Sequence, residues 1–324
     1  MEHYVTLFDS LYLPQGISLH RSMERHLKKY TLWIICMDEN TYFILNNMLL
    51  PNVKLLFICD IETKELLSIK PDRTKGEYCW TLSPFAPKFV FDADKEIDRV
   101  TYIDADMWFR KNPNEIFSEF DSSGKSVLIT EHHYATEYDQ SSLSGKYCVQ
   151  FMTFKKNEGE PVRQWWQDRC IEWCFAKFED GKFGDQKYLD DWTDRFPKQV
   201  HVLKNESLIL APWNATKYKY ENSAIWHFQA LKIMKKNSLF SAFFGFYKIP
   251  KNTKKFVYSE YLKDLGYSIS LLNDFNHTVI TQGSMTLWQK FKHIIFKFTS
   301  MLNIPSSFNI AEIQISINEI DNKI

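Results

Sequence analysis

The sequence predicts an α/β fold in which a mostly parallel sheet is flanked by helices. Apolar, strand-like runs alternate with segments of helical spacing in the order β-α-β-α-β, which is typical of a doubly wound sheet. The runs 32–37 and 53–58 are nearly continuous in apolar residues, as strands buried on both faces are. The chain has 324 residues, 44% of them hydrophobic, which is enough to bury a large core.

The individual elements follow from the same patterns. Strands are predicted at 4–8, 32–37, 53–58, 100–103 and 126–130. Helices are predicted at 17–29, 42–50, 78–91 and 160–177. Within 78–91, a helix that starts after Pro84 is the alternative. In the helix 160–177 one apolar stripe repeats at intervals of three or four residues; it consists of Val162, Trp166, Cys170, Trp173 and Cys174. We therefore expect both cysteines of this stripe to pack in the core rather than to react.

Composition narrows the class of protein. Lys+Arg and Asp+Glu both number 40, so no basic excess indicates a nucleic-acid partner. None of the six cysteines forms a CxxC pair or a zinc-like spacing. The N-terminal residues lack a signal-peptide pattern, and no run of about 18 apolar residues indicates a membrane span. These features together predict a cytoplasmic protein.

The character of the chain changes after about residue 235. We predict a catalytic domain at 1–235 and a C-terminal helical extension at 236–324. Within the extension, residues 287–302 form an amphipathic pattern whose polar side is basic. Such a helix lies on an anionic membrane, caps the domain, or pairs with another chain.

The strongest chemical signal is the pair Asp104 and Asp106, which follows the apolar run 100–103. Residues i and i+2 of a strand point to the same side, so both carboxylates are expected to face one ion. Ligands bind at the carboxyl ends of strands in open α/β sheets. Two carboxylates suit Mn²⁺ or Mg²⁺ bridging to a diphosphate. The alternative is a solvated strand end that carries two acids by chance.

Three later motifs carry further candidate residues. His227 is able to complete a metal shell, although a lone histidine is more often structural, and Lys232 suits phosphate oxygens. Asp185 and Gln186 follow Gly184 and are able to bond hydroxyl groups, or Asp185 caps a following helix. Asn214 lies beside Trp213 in a Pro-Trp-Asn turn, whose plain interpretation is an ordinary loop.

In this order the motifs resemble the GT-A-fold glycosyltransferases, in particular the retaining glycosyltransferase family 8 and its bacterial relatives, over about residues 4–235. The resemblance implies that Asp104, Asp106 and His227 bind Mn²⁺ or Mg²⁺ and that Lys232 contacts the donor diphosphate. Asp185 and Gln186 would line the sugar site, with Asn214 near a sugar. The nucleoside, expected to be uridine, would be bound by Leu7, Phe8, Asp9, Ser10 and Tyr12.

The sequence departs from the family pattern at several points. Cys148 and Gln150 stand where family members often carry Asn and Gly, which leaves the donor sugar open. The usual His-x-x-Gly-x-x-Lys spacing is one residue shorter, with Ala230 in the region of the glycine.

The main hypothesis is therefore metal-dependent transfer of a sugar, with retention, from a nucleotide-sugar to a glycan or lipid-linked acceptor. Three alternatives stay open. A haloacid-dehalogenase-type phosphatase also has an apolar strand before DxD, but Trp108 stands where that class usually has Thr or Val. A nucleotidyltransferase needs a glycine-rich loop, and the region 6–19 has only Gly16. A non-catalytic sugar-binding scaffold would fit the changes at Cys148 and Gln150.

Overall fold

Strands make up the centre of the protein in the computed structural model, which describes residues 1–236 and 239–281. In chain order they are β1 (Glu2–Phe8), β2 (Tyr30–Cys36), β3 (Val53–Phe57), β4 (Arg99–Ile103), β5 (Met107–Phe109), β6 (Val127–Glu131), β7 (Tyr147–Lys155), β8 (Val200–Val202), β9 (Ile209–Leu210), β10 (Ile225–His227), β11 (Lys232–Lys236) and β12 (Leu239–Phe243).

Helices surround these strands, and a π-helical turn, Lys254–Tyr258, leads into the last of them. They are α1 (Leu13–His26), α2 (Glu39–Met48), α3 (Ile58–Ile61), α4 (Lys64–Ile69), α5 (Lys75–Leu82), α6 (Phe85–Ala93), α7 (Asn114–Ser123), α8 (Ser141–Ser144), α9 (Glu160–Glu172), α10 (Trp192–Arg195), α11 (Lys251–Thr253) and α12 (Ser259–Asp274). No described helix is long and apolar enough to cross a membrane.

The main sheet has the strand order β3-β2-β1-β4-β7-β6-β8. Only β7 runs antiparallel to its neighbours β4 and β6; every other adjacent pair is parallel. The predicted mostly parallel α/β sheet is thus confirmed. The carboxyl ends of β1, β2, β4 and β6 meet at one edge, together with the amino end of β7.

Apolar residues on both faces explain why β1 and β2 are continuous hydrophobic runs. Tyr4 and Phe8 of β1 face a core that also contains residues of α1 and α12. Val5 and Leu7 face a second core with residues of α6 and α9. Because helices cover both faces of the sheet, the residues that point to either face of the strand are buried.

Two predicted helices differ from the observed ones. The segment 78–91 is split into α5 and α6, since Pro84 has no N–H to continue the hydrogen-bond ladder. Helix α6 begins at Phe85, directly after Pro84, in agreement with the alternative start. Helix α9 ends at Glu172, where Trp173 is extended (φ −158°), and not at 177. Cys170 and Cys174 are nevertheless both buried, and the six cysteines are free thiols.

Helix α12 is tied to the rest of the fold by one buried carboxylate. Asp264 accepts hydrogen bonds from Arg21 Nε at 2.9 Å and from Arg25 Nη1 at 2.8 Å, both on α1. It also accepts one from the indole N–H of Trp108 in β5, at 2.7 Å. Described residues beyond 235 therefore pack directly on α1 and β5. The domain limits 1–235 and 236–324 stay a prediction, and the amphipathic segment 287–302 lies outside the described residues.

We expect Asp264→Asn to lower the free energy of unfolding by about 1.5–3 kcal/mol, because two arginines lose the charged acceptor of their hydrogen bonds. Glu260→Gln on the same helix is the control. Its ion pair with Lys263 is about half exposed, so its loss should cost less than about 0.5 kcal/mol. Urea unfolding of the three proteins measures this, and equal stabilities of the two variants would contradict the assignment.

Candidate active site

Asp104 and Asp106 lie in the turn between β4 and β5, where Met107 N–H donates to the Asp104 carbonyl at 3.1 Å. Strand β4 ends at Ile103, so the carboxylates converge through this turn and not through the strand alternation expected from the sequence. Strand β10 pairs antiparallel with β5, which sets His227 opposite Met107. Phe228 N–H donates to the Asp106 carbonyl at 2.9 Å. These contacts bring His227 next to both acids.

The three side chains form a compact donor set. His227 Nε2 lies 3.1 Å from Asp106 Oδ1 and 3.7 Å from Asp104 Oδ2. One ligand atom from each residue lies within 4.8 Å of the other two. One imidazole nitrogen and two carboxylate oxygens are donors that Mn²⁺ and Mg²⁺ accept. The residues therefore fit the divalent cation that the motif implies.

Charge in this cluster is balanced by the histidine. Burial works against protonation of His227, but the carboxylates of Asp106 and Asp104 outweigh it and raise its pKa. Burial raises the pKa of Asp104, against the pull of the imidazolium. The imidazole thus lies where positive charge is favoured, which is also the position in which a metal ion would act.

Neighbouring side chains hold the donor set in place. Gln150 Oε1 lies 2.6 Å from His227 Nδ1, and the Gln150 carbonyl accepts the Asp104 N–H at 3.1 Å. The Tyr102 hydroxyl donates to Asp104 Oδ1 at 3.1 Å. The ring of Trp213 stands perpendicular to the imidazole, with centroids 5.3 Å apart.

Asp185 is a second buried acid close to the metal ligands. Burial, followed by the negative charge of Asp104, raises its pKa to about 7, against a hydrogen bond with Ser83. Trp166 Nε1 donates to the Asp185 carbonyl at 2.8 Å. The amide of Gln186 donates to the Ser144 carbonyl at 2.7 Å. Asp185 is therefore held beside Asp104, whereas Gln186 is tied to the last residue of α8, shortly before β7.

The segment after β1 lies at the same sheet edge. Leu7, Phe8 and Ser10 are buried, and Asp9 and Tyr12 are partly exposed. The Ser10 hydroxyl donates to Asp38 Oδ1 at 2.8 Å, and its N–H donates to Asp38 Oδ2 at 2.9 Å. Ser10 thus fixes the loop to α2.

Asn214 and Lys232 occupy different environments. Asn214 is buried, accepting the Ala211 N–H at 2.9 Å and donating to the His132 carbonyl at 3.0 Å. It thereby shapes its own loop. Lys232 is partly exposed and begins β11. Just before it, Ala230 has φ +67°, a left-handed conformation that favours glycine.

Three residues of the site were not recognised as such from the sequence. Tyr102 and Ser83 contact Asp104 and Asp185, and Gln150 was noted only as a departure from the family pattern. A polar residue inside the apolar run 147–154 was the available signal for Gln150, since a buried amide requires a partner. For Tyr102 and Ser83 the sequence holds no comparable signal.

Comparison with solved structures identifies the class of fold. WbbM, a bifunctional glycosyltransferase, superimposes with a TM-score of 0.50 and 14% identity over 84% of this chain and 51% of WbbM. The galactosyltransferase LgtC, solved with donor and acceptor sugar analogues, gives 0.49 and 10% identity over 89% of this chain and 99% of LgtC. The likeness to WbbM shows the fold alone, a GT-A-type α/β fold, as the resemblance implied.

The chain belongs to the family of YfnF from Bacillus subtilis (strain 168), a protein described as uncharacterized. The two are 32% identical over 219 residues, which cover 65% of this chain and 71% of YfnF. No family model matches the chain.

Asp38 provides a pH-dependent test of the loop after β1. Burial alone would raise its pKa, but hydrogen bonds from Ser10 and Thr41 outweigh burial and hold the pKa below its usual value. Asp38 also caps α2 by accepting the Thr41 N–H at 2.7 Å.

We expect Asp38→Ala to lower the free energy of unfolding by about 1–2 kcal/mol at neutral pH. Because the folded pKa is lowered, this contribution is complete above the unfolded value of about 3.9 and is lost as the pH falls through the folded value. Unfolding titrations of both proteins from pH 7 downward should therefore converge, and a constant difference would contradict this account.

Ala230 offers a test of backbone strain next to Lys232. A left-handed alanine is strained by about 1–2 kcal/mol. Glycine removes this strain, but it also gives the unfolded chain more conformational freedom, which offsets part of the gain in stability. We expect Ala230→Gly to raise the melting temperature slightly, whereas Ala230→Val should lower it. A lower melting temperature for the glycine variant would show that the conformation carries no strain.

Proposed function

We propose that the protein is a metal-dependent glycosyltransferase that moves a sugar from a uridine diphosphate donor to a glycan or lipid-linked acceptor, with retention. The observation that carries the proposal is the donor set of Asp104, Asp106 and His227 at the carboxyl edge of the sheet. Its setting is a GT-A-type fold, which WbbM, a bifunctional glycosyltransferase, shares. The proposed place of action is the cytoplasmic face of a membrane, with the segment 287–302 as the contact.

Asp104, Asp106 and His227 would hold Mn²⁺ or Mg²⁺. Such an ion, when bound, supplies positive charge that offsets the charge growing on the leaving diphosphate. Lys232 is the proposed second cation for that diphosphate. The buried surroundings of Asp185 and its hydrogen bond with Ser83 hold its carboxyl in one position, as a group that orients a sugar requires.

The remaining roles follow the same assignment. Asp9 and Tyr12, which are the more exposed members of the loop after β1, are proposed to contact the nucleoside over the buried Leu7, Phe8 and Ser10. Gln186 is proposed to line the sugar site, and Asn214 to shape the wall beside it through the loop that carries Trp213. In a retaining, front-face reaction the leaving phosphate itself accepts the proton of the acceptor hydroxyl, so no further side chain is needed as base.

Thermal shifts with a panel of uridine diphosphate sugars, each with and without Mn²⁺, test the proposal. A ligand at a hundredfold excess over its dissociation constant stabilises the native state by about 2.7 kcal/mol, so one donor should raise the melting temperature only when Mn²⁺ is present. We expect Asp106→Asn to remove the Mn²⁺-dependent shift. Asp274→Asn, at an exposed position on the end of α12, is the matched control and should leave it unchanged.

Three outcomes would contradict the proposal. Equal Mn²⁺-dependent shifts of the melting temperature in Asp106→Asn and the wild type would contradict the proposed metal site. Hydrolysis of phosphomonoesters without nucleotide binding would favour a phosphatase. Donor binding with neither sugar transfer nor slow hydrolysis of the donor to uridine diphosphate and free sugar would favour a non-catalytic scaffold.

A further inference from the structure

The two ring nitrogens of His227 face different partners. Nε2 faces Asp106 at 3.1 Å and Asp104 at 3.7 Å, whereas Nδ1 lies 2.6 Å from Gln150 Oε1. An amide oxygen only accepts hydrogen bonds, so Nδ1 must carry the hydrogen in this contact. In a neutral imidazole the lone pair is then on Nε2, which is the nitrogen next to the two carboxylates.

We propose that Gln150 is a positioning residue that selects the tautomer of His227 in which Nε2 is free to bind the divalent cation. The inference rests on the proposed function, because it assumes that the donor set holds a metal ion. Hydrogen-bond acceptors behind metal-binding histidines orient the ring and raise its basicity, and their loss typically weakens metal binding about 10–100-fold.

The position of Gln150 supports this role. It lies on β7, directly beside β4, and its backbone carbonyl accepts the Asp104 N–H at 3.1 Å. One residue therefore contacts two proposed ligands, His227 through its side chain and Asp104 through its backbone. Gln150 is only 2% exposed, so water cannot readily replace its amide oxygen as the partner of Nδ1.

The ring of His227 is also restrained by packing. Trp213 stands perpendicular to the imidazole, with centroids 5.3 Å apart, and its indole N–H is held by the His132 carbonyl at 2.8 Å. Packing of this kind fixes where the ring lies but does not distinguish Nδ1 from Nε2. The hydrogen bond to Gln150 supplies that distinction.

Titration of the full chain with Mn²⁺, followed by electron paramagnetic resonance of the free ion, tests the inference. The titration is run with Mn²⁺ alone and with Mn²⁺ plus uridine diphosphate. We expect Gln150→Leu to weaken Mn²⁺ binding 10–100-fold and Gln150→Glu, which keeps an acceptor at the same place, to restore it. Gln167→Leu is the matched control, because Gln167 is also buried and accepts one hydrogen bond, from Arg163 Nη1 at 2.7 Å. It should bind Mn²⁺ as the wild type does.

A second measurement needs no change at Gln150, which matters if Gln150→Leu does not fold. In protein labelled with ¹⁵N-histidine and saturated with Mg²⁺, long-range ¹H–¹⁵N spectra report which ring nitrogen carries the hydrogen. The signal of His227 is assigned by its absence in His227→Gln. We expect protonation at Nδ1.

The outcomes separate the two proposals. Wild-type affinity in a folded Gln150→Leu variant would overturn the role of Gln150 and leave the metal site intact. Protonation of His227 at Nε2 would overturn that role and would also remove His227 from the proposed metal ligands, with Asp104 and Asp106 remaining. A loss of donor affinity in Gln150→Leu with Mn²⁺ affinity unchanged would make Gln150 a sugar contact and also overturn it. Absence of Mn²⁺ binding in the wild type would remove both proposals.

Discussion

The pairing of β10 with β5 is the contact on which the site depends. It is a short ladder, in which His227 stands opposite Met107 and Trp226 opposite Trp108. A slip of one residue would turn the imidazole away from the carboxylates and bring an aromatic ring in its place. The neighbours Trp226 and Phe228 are both buried, so packing on either side of His227 holds the register. Hydrophobic burial thereby fixes a polar arrangement that would be unfavourable by itself.

That arrangement concentrates charge in a small volume. Two carboxylates beside each other repel, and burial adds to the cost of keeping both ionised. The imidazole of His227 relieves part of this cost, which explains why its pKa rises in spite of its burial. The same features that make the cluster costly make it a good receptor for a doubly charged ion. The repulsion between the two buried carboxylates is thus the source both of the local instability and of the affinity for a cation.

The features that could be predicted from the sequence are those with local causes. The apolar runs of β1 and β2 indicate strands covered on both sides, and the parallel arrangement of β1, β2 and β3 follows from their alternation with helices. The parallel strand β8 was not predicted. The helix start after Pro84 follows from the proline itself, whereas the end of α9 at Glu172 depends on tertiary packing. The antiparallel strand β7 was not predicted, because an apolar run alone does not tell which neighbour it pairs with or in which direction.

The residues of the candidate site also fall into those that the sequence indicates and those that it does not. Asp104, Asp106 and His227 were recognised because carboxylates and imidazole have a chemistry that suits a hard cation. Gln150, Tyr102 and Ser83 act through their location, and that location is set by the pairing of β4 with β7 and by the packing of α5 and α6. Such residues become visible only once the topology is known.

The site is drawn from segments far apart along the chain: the turn after β4, the strand β7, the loop with Asp185, and β10. Closing the loops between such segments carries an entropic cost that is recovered only when all of them have docked. No early folding intermediate that lacks β10 holds the complete donor set. A ligand that requires the whole set would therefore stabilise the native state against every opening, local or global, that removes one of these segments. For a newly made chain, the ability to bind becomes a late property that appears together with the native state.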